Sequence, residues 1–392
     1  MDLKNDHNVY ILGAGFSKDA GLPLISDFLN QMRDSHVVLE GVPGREREAK
    51  AIETVLRFRL AASSAAYWVQ MDLENIEDLF SLASASPEEI HTSLRLAVAA
   101  TIDVARSRRS LAAKLTVKLG DDDTADWAHR GWLKPDPARG PNSPRESTYF
   151  VGLYTSYVAS LLGMYNSAGR PTGENSFLTF NYDTLVEESL QELGLRFSYG
   201  LKKASNPPGN KAAKQTAQGN TESDIPVLKL HGSVNWAEAK RGNKFEVLDD
   251  YYMVRSRDLY PGLIPPTWKK TFGGGIDQVW NLAVDKLRTA TRIVIIGFSL
   301  PATDAHFRFL LAAGLQNNIS LREIVIVNPD TTSVMKSRVK QILRDSYWDV
   351  GKIRTCELSL RELVGNWPAG GDCLRSLGRG LSQSTSLSLS TM

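Results

Sequence analysis

Two kinds of apolar pattern alternate along the chain. Short, mostly apolar runs, rich in β-branched residues, occupy 9–12, 177–180, 227–230, 293–296 and 324–327. Each stops at glycine or a polar residue, as strands buried on both faces do. Between the later runs, apolar residues recur at helical spacing over 184–193, 275–289, 304–313 and 332–344. Strands alternating with helices predict a parallel sheet covered on both faces. The stretch from 45 to 169 has a different character. It predicts helices at 46–62 and 75–82, a third opened by Ser86-Pro87-Glu88-Glu89 and running to about 119, and a fourth from 146 or 147 to 168. A helix over 19–33 follows the first strand. The fold class is therefore α/β: a Rossmann-like, doubly wound parallel sheet with a large inserted helical lobe. The expected divisions are 1–40 for the first strand and helix, 41–170 for the insert, 171–367 for the rest of the sheet, and 368–392 for a Ser/Gly-rich tail expected to be disordered.

Composition narrows the partners. The 392 residues carry a net charge of +2, which gives no electrostatic case for nucleic acid or a membrane surface. No apolar run approaches the roughly 20 residues that cross a bilayer, and the N-terminus lacks the core of a signal peptide. A cytoplasmic, reduced setting is expected. Two cysteines, Cys356 and Cys373, supply no disulfide framework and exclude a four-cysteine zinc site within one chain.

Candidate chemistry gathers where the strands end. The first run leads into Gly13-Ala14-Gly15-Phe16-Ser17, a strand–glycine turn–helix arrangement suited to a pyrophosphate. The third glycine of the dinucleotide fingerprint is missing, because Lys18 stands in its place, which disfavours an ordinary dehydrogenase. The second run leads into Asn181-Tyr182-Asp183, the third into His231-Gly232-Ser233, the fourth into Gly297-Phe298-Ser299 and the fifth into Asn328-Pro329-Asp330. Taken singly, Asn181 and Asp183 fit a helix cap, His231 a structural histidine, and Gly297, Ser299 and Asn328 ordinary turns. Taken together they fall on one edge of one sheet, where ligands of doubly wound folds bind.

The motifs also have a recognisable order. Gly13-Ala14-Gly15-x-Ser17-x-x-x-Gly21-x-Pro23, then Asn181-x-Asp183, a strand ending in His231-Gly232, Gly297-x-Ser299 and Asn328 resemble the sirtuin family. The resemblance implies a pocket for NAD+ as substrate and cleavage of its nicotinamide–ribose bond. By position, Gly13, Ala14, Gly15, Phe16 and Ser17 would cradle the pyrophosphate. Asn181 and Asp183 would hold the nicotinamide end and its ribose, and His231 would be the general base. Gly297 and Ser299 would meet phosphate or the adenine-side ribose, which Asn328 would contact. The zinc ribbon of the protein deacylases is absent, and Leu24-Ile25-Ser26 stands where they carry D-F-R. With the helical insert, that pattern resembles the prokaryotic sirtuin-like NAD hydrolases of antiphage defence, as do 74–80 and 261–269.

The expected activity is an NAD+ glycohydrolase releasing nicotinamide and ADP-ribose in abortive defence, with no zinc. The resemblance further implies a homo-oligomer and a partner such as a HerA-type ATPase/helicase. The alternatives are an NAD-dependent deacylase or ADP-ribosyltransferase, and a module that senses NAD or ADP-ribose without turnover.

Overall fold

In the computed structural model the chain is described at residues 6–108, 114–118, 134–135, 148–164, 170–201, 224–238, 245–264, 275–299, 305–329, 333–343, 350–359, 362 and 386–389. A seven-stranded, all-parallel sheet forms the centre. Its strands in chain order are β1 (His7–Leu12), β2 (Glu174–Thr179), β3 (Phe197–Ser198), β4 (Ile225–Lys229), β5 (Arg292–Ile296), β6 (Glu323–Val327) and β7 (Ile353–Cys356). Their spatial order is β7-β6-β5-β1-β2-β4-β3. The chain runs outward from β1 through β2 on one side, then returns to lay β5 against the other side of β1. The order reverses between β1 and β5, which is where doubly wound sheets open a binding crevice. All five sequence-predicted strands form, each within three residues of the expected limits.

The strands are buried because both faces are covered. Val9, Ile11 and Leu12 are fully buried, as are Ile293, Val294, Val325 and Ile326. The covering helices include α1 (Phe28–Leu39), α5 (Leu153–Leu161), α6 (Leu185–Glu192), α8 (Ile276–Thr289), α9 (Ala305–Leu315) and α10 (Ser333–Ile342). Removing such side chains from water contributes roughly 25 cal/mol per Å² of apolar area.

Among its described residues the insert combines helices with short strands. Helices α2 (Glu46–Trp68), α3 (Ile76–Ala83) and α4 (Glu88–Arg108) match expectation at their starts, and Asn75 caps α3 by accepting from the Glu77 amide at 2.9 Å. The helix expected to reach 119 ends at Arg108, and Lys114–Lys118 is a strand. Thr148–Gly152, expected as the start of a helix, is also a strand, and α5 begins only at Leu153. A Thr-Tyr-Phe-Val run favours the extended state over the helix. These strands pair with each other, with Lys134–Pro135, and with Ser386–Leu389 of the tail. The Ser-Leu-Ser-Leu alternation there has the period of two that a strand needs, whereas the rest of the tail lies outside the described residues, as does most of 203–224.

The helix expected over 19–33 is also displaced. Residues Ala14–Ala20 and Ile25–Asp27 form 3₁₀ turns, and α1 starts at Phe28. Gly21 adopts φ +82°, a left-handed conformation, and Pro23 follows with no N–H to donate, so a continuous helix cannot pass.

A small antiparallel sheet of Gly232–Glu238, Phe245–Val247 and Pro261–Leu263 was not foreseen. With α7 (Tyr251–Ser256), it packs beyond the end of β4. Among the described residues, no helix is long and apolar enough to cross a membrane.

Candidate functional site

Because the strands are parallel, the turns that follow β1, β2, β4, β5 and β6 share one edge of the sheet. The turn after β1 is built against the turn after β5. The Gly13 amide donates to Ile296 O at 3.0 Å, and the Gly15 amide donates to Gly297 O at 2.8 Å. The two backbones touch. A Cβ on Gly13 would lie 2.6 Å from Phe298 Cα, one on Gly15 2.8 Å from Gly297 Cα, and one on Gly297 2.2 Å from the Phe16 nitrogen. Gly297 also sits at φ +61°. These three glycines are thus required by backbone packing at the switch point. The Phe16 amide closes back on Gly13 O at 2.9 Å. Gly13, Gly15 and Phe16 thus all donate their amides inside the protein.

The turn after β2 reaches across to the same glycines. Asn181 donates its carboxamide Nδ2 to Gly13 O at 2.9 Å, and the same nitrogen lies 3.0 Å from Ser17 Oγ. Ser17 donates its hydroxyl to Asp183 Oδ2 at 2.7 Å, and the Leu185 amide donates to Asp183 Oδ1 at 3.1 Å. Asp183 therefore does both things its sequence context allowed. It meets the first amide beyond Thr184 at the start of α6, and it joins the site. Asp183 and Ser17 are both buried, whereas Asn181 is half-exposed.

His231 leaves β4 beside that turn and is buried. Its ring meets Phe180 edge-on with centroids 5.1 Å apart, and Tyr182 is 6.2 Å away. Phe180 in turn packs on Phe298, 5.0 Å distant, linking the second, third and fourth turns through one aromatic cluster. The His231 carbonyl accepts from the Ile264 amide at 2.8 Å, and the Tyr182 hydroxyl donates to Ile264 O at 3.1 Å. Residues 261–264 of the segment singled out in the sequence thus lie over His231; 265–269 lie outside the described residues. Asn328 donates Nδ2 to Phe298 O at 3.3 Å and steadies the Gly297 turn. Ser299 is exposed at the rim, where its carbonyl accepts from Arg338 at 2.9 Å.

Gly13, Gly15, Ser17, Asn181, Asp183 and Gly297 are in one contact network, with His231 reached through Phe180. Asn328 lies toward the far end, four strands from His231. At about 4.8 Å per strand that is roughly 19 Å.

Three participants were not picked out from the sequence. Tyr154 of α5 donates to Phe16 O at 2.8 Å and accepts from the Ala20 amide at 3.0 Å, fastening the glycine turn to the insert. Burial pushes its hydroxyl well above the ordinary tyrosine pKa. Lys229 and Glu187 form a buried ion pair directly behind Asp183. A lysine inside an apolar strand run was the available signal for the first of that pair. Among the described residues, no cluster of three or more histidine, cysteine or carboxylate side chains could hold a metal.

Residues 175–349 match the family model of the SIR2-like domain. The matched span begins inside β2 and takes in the turns of Asn181, His231, Gly297 and Asn328. The glycine turn after β1 lies outside it. No curated protein matches the chain. Solved structures similar to it include a Sir2 homologue in complex with NAD, at 12% identity over 97% of this chain and 93% of that one, with a TM-score of 0.38. Another is Sir2 with an inhibitor, 2′-O-acetyl-ADP-ribose and a deacetylated peptide, at 12% identity over 91% and 90% of the two chains, with a TM-score of 0.36.

Proposed function

We propose that the chain is a Sir2-type NAD+ glycohydrolase. The observation that supports this best is the network joining Gly13, Ser17, Asn181 and Asp183 at the switch point, with His231 beside it. In this reading the dinucleotide lies along the strand ends, its adenine-side ribose toward Asn328 and its nicotinamide ribose toward Asp183 and His231. Ala14 and the rim of the Gly13–Ser17 turn face the pyrophosphate.

Departure of nicotinamide leaves oxocarbenium character on the ribose carbon. A fixed carboxylate and carboxamide at that end stabilise the developing charge without reorganising, which is the largest source of rate in many enzymes. His231 takes a proton from the attacking water or a ribose hydroxyl, since imidazole alone has an unperturbed pKa suited to this near neutrality. Its burial against Phe180 keeps bulk water from competing. By resemblance, the activity serves antiphage defence as a homo-oligomer controlled by a HerA-type ATPase partner, which co-purification with the product of the adjacent gene tests.

The direct test is purified protein with NAD+, alone and with that partner, followed by chromatography for nicotinamide and ADP-ribose. His231→Ala is expected to lower kcat by about 10² or more, the usual worth of a general base, and Asn181→Ala to lower it comparably. Turnover that survives both substitutions overturns the assignment. One observation favours a second reading: Asn181 and Asp183 are already bonded to the glycine turn, as a binding-only module would need. That module would bind ADP-ribose and release no nicotinamide under any trigger.

A further inference from the structure

Strand β4 is apolar except at its end, where Lys229 is 1% exposed. Burying an ammonium is costly unless it is paired and hydrogen-bonded. Lys229 Nζ donates to the Asp183 carbonyl and lies 3.3 Å from Glu187 Oε1. Glu187 is itself 3% exposed, four residues after Asp183 in the first turn of α6. Burial raises its carboxyl above the ordinary range, Lys229 opposes that, and Asp183 adds to it.

Asp183 is consequently held at three points. Lys229 holds its carbonyl, Leu185 holds Oδ1 and Ser17 holds Oδ2. Two residues further along, His231 packs against Phe180 and Tyr182 of the same turn. The end of β4 therefore grips the turn by a lysine and a histidine.

We propose that Lys229, with Glu187 as counter-ion, is a positioning residue that sets the backbone of the Asn181–Asp183 turn and so the place of the Asp183 carboxylate. The proposal rests on the hydrolase reading above. A buried ion pair is a poor stabiliser, and neutral side chains of similar volume commonly replace one without loss. What neutral side chains cannot supply is a cationic donor fixed on the Asp183 carbonyl.

The test is the double variant Lys229→Met with Glu187→Gln, which removes both charges and leaves none uncompensated. Hydrogen exchange over 181–185, read against the amides of β1 and β5, reports the turn independently of activity. The expected result is about tenfold faster exchange confined to the turn, with kcat lowered about tenfold or more and KM within about twofold of wild type, since small misplacements of a catalytic group cost that much. Unchanged exchange over 181–185 overturns the proposal, and so does faster exchange with kcat unchanged. Wild-type protein with no NAD+ turnover under any condition overturns the hydrolase reading instead, and the exchange measurement then decides whether Lys229 sets the turn.

Discussion

Substituting Gly297 by alanine separates two reasons for a glycine. The first is conformational: at φ +61° any L-residue is strained, by about 1 kcal/mol. The second is contact. The new Cβ would sit 2.2 Å from the Phe16 nitrogen and 2.4 Å from the Gly15 carbonyl carbon, both backbone. The turns after β1 and β5 must then part by roughly an ångström, an overpacking cost of about 1–3 kcal/mol. The 2.8 Å bond from the Gly15 amide to Gly297 O is lost with it, at about 1 kcal/mol. The expected loss is therefore about 3–5 kcal/mol. Gly194 is the internal control, since it sits at φ +70° with nothing within 4 Å of its Cβ position, so Gly194→Ala should cost only the first term, about 1 kcal/mol. Guanidinium unfolding of both variants, followed by tryptophan fluorescence, measures the difference. Equal losses within about 0.5 kcal/mol would refute the interlocked-turn account, because the contact term would then be nil.

Two further outcomes are expected. Tyr154→Phe removes the bond to Phe16 O and leaves the Ala20 amide without its acceptor, so stability should fall by about 1–3 kcal/mol, and ADP-ribose affinity should fall with it; calorimetry showing both unchanged would sink the role given to Tyr154. His7 is buried between Thr289 and Ser176, and burial lowers its pKa despite Glu174 at 3.6 Å. Its unfolded form takes up a proton first, so its contribution to stability is full above about pH 6.5 and is lost as pH falls from there through its lower folded value. His7→Gln should flatten the decline of Tm between about pH 7 and 5, and an unaltered slope would count against this.

The sheet was legible because its strands are apolar on both faces and end abruptly. Those features survive any tertiary context, and the matching turns could be assigned to one edge before any coordinates. Less legible was the insert. Tyr149, Phe150 and Leu153 have helical spacing, yet the first two belong to a β-prone run whose pairing partners lie elsewhere in the chain. The helix over 19–33 failed because Gly21 and Pro23 act together, whereas each alone is tolerable near a helix start. Within the candidate site, the turns were readable but the bonding of their residues was not. Nothing local in the chain reveals that Asn181 turns its amide nitrogen to Gly13, or that Lys229 points at Asp183 some 46 positions earlier.

The place of β1 has a consequence for synthesis. Its two neighbours lie far downstream: Leu12 pairs with Thr179 on one side and Ile296 on the other. At roughly 5–20 residues per second, a ribosome needs many seconds to deliver the first of these and longer for the second. The hexapeptide His7–Leu12, apolar from Val9 onward, is made well before either partner, while α2 to α4 can form from short-range contacts as soon as they are made. Between the synthesis of Leu12 and that of Thr179 the nascent chain therefore carries β1 without a pairing partner, and a chaperone that shields β1 during synthesis should raise the yield of native protein more than one acting after release.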